Sequence, residues 1–425
     1  MVDWPIRYAD LEPYYTKVEW EVGVSGLAGA SPFDPPRSKP YPMPPLPVKG
    51  SGVIFERAAR KLGYHPFPAP MAILSQPRAG RSACVNCGFC LGFGCEVGAK
   101  STALSSVIRM AEKTGRCEIR PNSYVHKIAT DKNGRATGVL YFDAKKNEHL
   151  QRAKAVVVCA NGAETPRLLL LSASNLFPNG LANSSGLVGK YLMPNCAAIA
   201  YGVFDEPLND YKGFAVSRVF HDFYEMDTQK LGIYGGGGLD ARFDLTPIGF
   251  ATGALPPGTP RWGKDFKKAL NHNFTRTMQI FCHGSSLPIE SNSFSLDPDV
   301  KDAWGLPALR MTYQDSPNDL KLVTWMKDRA MEILDAAGAK DKWHQPISSQ
   351  QFAVHLLGTC RMGADAKSSV INPDHRTHDV PNLFLCDGSS LVTSGRGQPT
   401  MTIQALAYRA ADRITALAKQ GNLPG

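Results

Sequence analysis

From His355 to Ile414 the chain reads HLLGTCRMG and then NLFLCDGSSLVTSGRGQPTMTIQALAYRAADRI. Three chemically useful features fall in this one span: an imidazole, an acid after an apolar run, and a proline-led helical pattern. His355 has an unperturbed pKa near neutrality, which suits a general base. Gln398 carries an amide that hydrogen-bonds but cannot take a proton, so it can orient a hydroxyl and no more. Pro399 marks a helix start, and Thr400 follows it; the free N–H groups and partial positive charge there would stabilise developing negative charge. The plainer alternative for the same residues is an ordinary packed strand and helix.

Those side chains need elements to hold them. Leu383 to Cys386 is a short apolar run of buried-strand type, and Asp387-Gly388-Ser389 punctuates its end. Ligands of α/β sheets sit just beyond such strand ends. Pro399 favours the first helical turn with Gln398 or Gly397 as cap, and Ile403, Leu406, Ala407, Ala410, Ile414 and Leu417 recur at helical spacing. A second buried-strand run spans Lys154 to Ala160; Thr165 as cap and Pro166 at the first position predict a helix after it. Residues 119–142 read as strand, polar turn, strand. Further helices are expected over Val53 to Leu62, Ser101 to Lys113 and Asp319 to Ala336. The eight prolines between Pro32 and Pro47 exclude a helix and predict an extended crossing.

Cys84, Cys87, Cys90 and Cys95 have C-x2-C-x2-C-x4-C spacing. Thiolates two residues apart can converge on one metal or cluster, and the intervening glycines let the backbone fold around it. An iron–sulfur cluster, a structural zinc, and a tight loop of ordinary thiols are the three readings. Cys117, Cys159, Cys196, Cys282, Cys360 and Cys386 are scattered and expected to pack as buried residues. His283 and His344 are candidates for the pocket wall or for ordinary polar contacts, and His375 and His378 are expected at the surface.

HLLGTCRMG with QPTMTI resembles the carboxy-terminal signature of the glucose-methanol-choline (GMC) oxidoreductases. KAVVVCANGAETPRLLLLS is similar to that family's second signature. The resemblance implies FAD as cofactor and His355 as catalytic histidine. It places Asp387 and Gly388 beside the ribityl chain, Gly162 and Ala163 near the cofactor, and Val125 on the adenine through its backbone. Gln398 stands where the family has Asn or His, which leaves the proton to His355 alone. CGFC followed by GC and GAK resembles the gluconate 2-dehydrogenase flavoprotein type, whose relatives carry an iron–sulfur cluster near this point. That implies a sugar, sugar-acid or polyol substrate, and an acceptor other than oxygen, such as a cytochrome or a small partner subunit. The family's opening strand–G-x-G-x-x-G–helix unit does not occur. The expectation is therefore a chain truncated at its amino end, or half of a split enzyme. Two rivals stand beside the enzyme: an iron–sulfur electron-transfer subunit and an inactive remnant.

The implied fold is α/β (α+β), an FAD-binding Rossmann-like domain interleaved with an antiparallel substrate domain. The division expected is 1–189 and 351–425 for the first and 190–350 for the second. With 425 residues there is length for a large core. No apolar run approaches membrane-spanning length, and the start MVDWPIRYADLEP has neither basic leader nor apolar signal region. By resemblance the location is periplasmic or membrane-peripheral in a bacterium, with the cytoplasm as alternative. A formal charge of +9 suits a solvated surface or an acidic partner. Lys264, Lys267 and Lys268 form a tight basic group, but without stacking aromatics they do not make a nucleic-acid site.

Overall fold

Two runs of small and apolar residues, CAAIAYGV and TMQIFCHG, pair along their whole length and become the centre of the main sheet. The computed structural model describes residues 2–348, 355–421 and 423. The boundary expected at 350/351 lies outside them. The helices are α1 (Tyr8–Val22), α2 (Gly50–Lys61), α3 (Val107–Lys113), α4 (Asn161–Leu171), α5 (Thr228–Leu231), α6 (Pro247–Gly253), α7 (Gly263–Phe274), α8 (Pro317–Ala337) and α9 (Thr400–Lys419). The first strands are β1 (Phe67–Pro68), β2 (Tyr124–Thr130), β3 (Ala136–Phe142), β4 (Glu148–Arg152) and β5 (Val156–Val158). Then come β6 (Cys196–Val203), β7 (Val216–Phe220), β8 (Gly237–Arg242), β9 (Thr277–Gly284), β10 (Ser293–Lys301), β11 (Pro307–Thr312), β12 (Asp341–His344) and β13 (Leu383–Leu385).

The main sheet runs β1-β7-β8-β9-β6-β12, antiparallel throughout. Alternation gives it two unlike faces. Leu239, Ala241, Ile280 and Cys282 lie under Leu322, Met326 and Ile333 of α8 and Phe55 of α2 in one buried cluster. Burying each large side chain there is worth about 1.5–3 kcal/mol. Ser316 caps α8 by accepting from the Asp319 N–H, Pro317 takes the first position, and Gly338 at φ 83° closes it. The opposite face carries Asp240, Arg242 and His283. Residues 50–68 supply α2 and β1 to this layer, so the chain enters the antiparallel half well before residue 190.

The other half centres on a parallel pair, β5 with β13, in the register Leu383↔Val156. Leu383 and Leu385 bury with Leu168 and Leu169 of α4, whereas Phe384 and Cys386 bury with Ala410 of α9. The strands β2-β3-β4 form a separate antiparallel sheet, and β10-β11 a hairpin. The mixed architecture is the one expected, and the proline-rich crossing forms neither helix nor named strand.

Several local expectations are corrected. α4 starts at Asn161, not Pro166. Asn161 tolerates its left-handed φ of 69°, and its Oδ1 accepts from the N–H groups of Ala163 and Glu164 at 2.8 and 3.3 Å. Pro166 inside the helix leaves the Gly162 carbonyl without its helical donor, and the Thr359 hydroxyl donates to it instead at 2.6 Å. α9 starts at Thr400 with Pro399 itself as cap. The helix expected over 101–113 forms only from Val107. His375 is wholly buried, and its Nδ1 donates to the Leu385 carbonyl at 2.8 Å. Cys117 and Cys159 are exposed, while the other four scattered cysteines are buried.

Candidate active site

Backbone pairing brings the HLLGT segment against the turn after β13. Gly358 N–H donates to Gly388 O at 3.0 Å, Cys360 N–H to Ser389 O at 2.8 Å, and Met362 N–H to Ser390 O at 3.0 Å. Two glycines allow the approach. A Cβ on Gly162 would stand 2.0 Å from Leu356 O, and one on Gly388 would stand 2.9 Å from the same atom. Both expected cofactor glycines therefore clamp the residue next to His355. Asp387 accepts from Thr165 Oγ1 at 2.5 Å and from Ser389 N–H at 2.8 Å, which joins the end of β13 to α4.

His355 is half-buried, and its Nδ1 lies 2.9 Å from Asn195 Oδ1. Burial, helped by the nearby His283, pushes its pKa down to about 4. Asn195 Nδ2 donates to Gly284 O at 3.0 Å and to Gly395 O at 3.3 Å. Gln398 Nε2 lies 2.9 Å from His283 Nε2. Behind His283, Arg242 grips Asp240 through two contacts of 2.6 Å, and its Nη2 stands 2.8 Å from His283 Nε2. Burial works to raise the Asp240 carboxyl, but the guanidinium outweighs it and holds the pKa at about 2. Burial likewise lowers His283, so a fixed cation and anion sit beside a neutral imidazole.

This group borders a cavity of about 1010 Å³, whose wall includes Asp240, Arg242, Gly395, Gln398, Pro399 and Thr400. Trp4, Tyr8, Tyr15 and Tyr41 line it too; Trp4 Nε1 donates to Thr393 Oγ1 at 3.0 Å, and the Tyr15 hydroxyl lies 2.7 Å from Thr402 Oγ1. Val125, Gly162, Ala163, Asp387 and Gly388 lie off that wall, and so does His355, which reaches it through Asn195 and Gly395. Sequence reasoning missed Asn195, Asp240 and Arg242. Asp240 and Arg242 come from β8 and Asn195 from the residue just before β6, and no local motif marks them.

Cys84, Cys87, Cys90 and Cys95 do share the wall of a small cavity of about 20 Å³. Burial raises the Cys95 thiol, but the N–H groups of Lys100, Ala99, Val97 and Gly98 outweigh it and lower its pKa. All four are free thiols. Among the described residues no group of three or more His, Cys, Asp or Glu is arranged so as to hold a metal ion. No helix among them is long and apolar enough to cross a membrane.

The models of the GMC oxidoreductase family match residues 6–193 and 288–407. 2-Methyl-1,2-propanediol dehydrogenase of Mycolicibacterium austroafricanum is 40% identical over 97% of this chain and 75% of its own length. The chain belongs to the GMC oxidoreductases. The fructose dehydrogenase large subunit of Gluconobacter japonicus is 32% identical, over 99% of this chain and 76% of its own. Gluconate 2-dehydrogenase flavoprotein of Pantoea cypripedii is 29% identical, over 97% and 72%. The fold matches formate oxidase of Aspergillus oryzae with a TM-score of 0.68 at 14% identity, over 97% of this chain and 78% of that one.

GMC oxidoreductases bind FAD, and the residues present fit it. In α9 the first backward bond is from Ile403 N–H to Pro399 O, and the residues before it, Thr400 to Thr402, lie on the cavity wall. Their unbonded N–H groups favour an anionic ring edge. Gln404 Oε1, buried without a partner in the protein, belongs to a residue of the same wall. As a GMC oxidoreductase, this chain acts on alcohol or sugar groups.

Proposed function

We propose that this GMC oxidoreductase is a dehydrogenase of a small polyol, sugar or sugar acid, with His355 as base and an acceptor other than oxygen. The observation that carries the reading is the convergence of His355, His283 and Gln398 beside the start of α9. Bound FAD supplies the hydride acceptor. His355, neutral above about pH 4, takes the hydroxyl proton. Gln398 Nε2, 2.9 Å from His283 Nε2, can turn an N–H toward the substrate oxygen, whose negative charge it stabilises as the proton leaves. Trp4, Tyr8, Tyr15 and Tyr41 in the same cavity give sugar carbons an apolar face. The dehydrogenase names of three relatives support the choice of acceptor.

The test is anaerobic bleaching of flavin absorbance in the FAD-loaded chain by a panel of polyols and sugars. It is repeated in air with a dye acceptor. At least one substrate should bleach the wild type, and His355→Ala should slow bleaching by 100-fold or more, on the order of a lost general base. Undiminished bleaching in the variant would overturn the role of His355; a preference for oxygen over the dye would overturn the acceptor.

A further inference from the structure

We propose that Asn195 is a positioning residue that sets the tautomer of His355, fixing the proton on Nδ1 and leaving Nε2 as the basic nitrogen. The Asn195 amide is paired at both ends. Its Nδ2 has two partners, Gly284 O at 3.0 Å and Gly395 O at 3.3 Å. Carbonyl oxygens only accept, so this end must be the NH2 and the other end must be the oxygen. That oxygen stands 2.9 Å from His355 Nδ1 and can only accept. A neutral imidazole carries one proton, which must then be on Nδ1, and the lone pair falls to Nε2.

The backbone makes the arrangement rigid. Asn195 is 2% exposed and sits at φ 61°, a conformation that Asn tolerates better than most residues, immediately before β6. One side chain therefore ties the end of β9, the loop before α9 and the imidazole together. It is also neutral. The titratable group that bears on His355 is His283 on β9, itself backed by Asp240 and Arg242, and Gln398 beside His283 carries no charge. No carboxylate partner is recorded for His355 among the described residues, so nothing there holds the proton that an imidazolium would keep. An amide oxygen selects the tautomer without promoting that charged form.

The inference rests on the reading of His355 as base, and its first test is independent of turnover. In protein labelled with 15N-histidine, long-range 15N–1H correlation at pH 7 distinguishes the two neutral tautomers, with His355 assigned by its loss in His355→Gln. The wild type should show Nδ1–H. Asn195→Leu should shift the signal toward Nε2–H. In the FAD-loaded enzyme, Asn195→Leu should lower kcat about 100-fold with KM little changed, as the loss of base catalysis would. A wild-type Nε2–H signal, or a signal in Asn195→Leu that keeps Nδ1–H, overturns the proposal. The wild-type tautomer carries the test if the Leu variant does not fold. The expected tautomer in a protein that oxidises no alcohol would refute the proposed function and leave this inference standing.

Discussion

His375 is shut off from solvent, with Nδ1 donating to Leu385 O at 2.8 Å and Nε2 buried without a hydrogen-bond partner. Burial pushes its pKa down to about 4, against the opposing pull of the Leu385 carbonyl. In the unfolded chain the imidazole returns to about 6.5. Between those values the unfolded state binds a proton that the folded state refuses, so stability present above about pH 6.5 is lost as pH falls toward 4. By pH 5 the loss from this residue is about 2 kcal/mol. His355 contributes in the same direction. The expected outcome is a lower urea midpoint at pH 5 than at pH 7, with a smaller drop in His375→Gln, whose amide can still donate to Leu385 O. An equal drop in both proteins would refute the argument. Sequence did not mark His375 as buried, because DHRTHDVPN reads as a polar turn and its burial depends on β13. His355 and Gln398 were legible, since each lies inside a short local pattern. Asn195 was not, because its partners lie far away along the chain.

At the level of elements, α4 shows how a start signal can mislead. Thr165-Pro166 has the composition of a helix beginning, yet both residues lie within the helix. Thr165 instead accepts from Ala160 N–H at 3.2 Å and donates to Asp387. Pro166 is tolerated because Thr359 replaces the missing donor at Gly162 O. Thr359→Val keeps the shape and removes that donor, so the carbonyl is left buried and unpaired at a cost of about 1–3 kcal/mol. Pro166→Ala restores a backbone N–H that can bond the same carbonyl. The double variant should therefore lose less stability than the sum of the two single changes, which chemical denaturation of all four proteins would measure. Strict additivity would mean that the hydroxyl and the missing N–H do not compensate. The strands themselves were easier to read: LFL is apolar because both faces of β13 are covered, Leu383 and Leu385 by α4 and Phe384 by α9, whereas in VVV only Val156 and Val158 are buried and Val157 is exposed.

Across the whole molecule, the main sheet separates stability from chemistry by its two faces. Residues on the α8 side, such as Leu239 and Ile280, are packed in the core. On the cavity side, the buried Asp240 and Arg242 form an ion pair that lines the cavity and touches His283, which in turn lies against Gln398. The β8 sequence GGLDAR does not show this, because Asp and Arg two residues apart read as a solvated strand face until β9 and the cavity are placed around them. A buried pair of this kind is a weak source of stability, since desolvation offsets most of the attraction. Removing one partner is another matter. Asp240→Asn leaves the Arg242 charge with Asp244 alone, at 3.5 Å, and should destabilise by about 3 kcal/mol. Replacing both at once, Asp240→Leu with Arg242→Met, should come within about 1 kcal/mol of the wild type. The same double variant strips His283 of the partners that orient it and so loosens Gln398. If the pair exists for the chemistry, this protein should fold and bind FAD normally but reduce it at least 10-fold more slowly, the loss falling on kcat. A double variant that is both stable and fully active would show that the ion pair serves neither purpose.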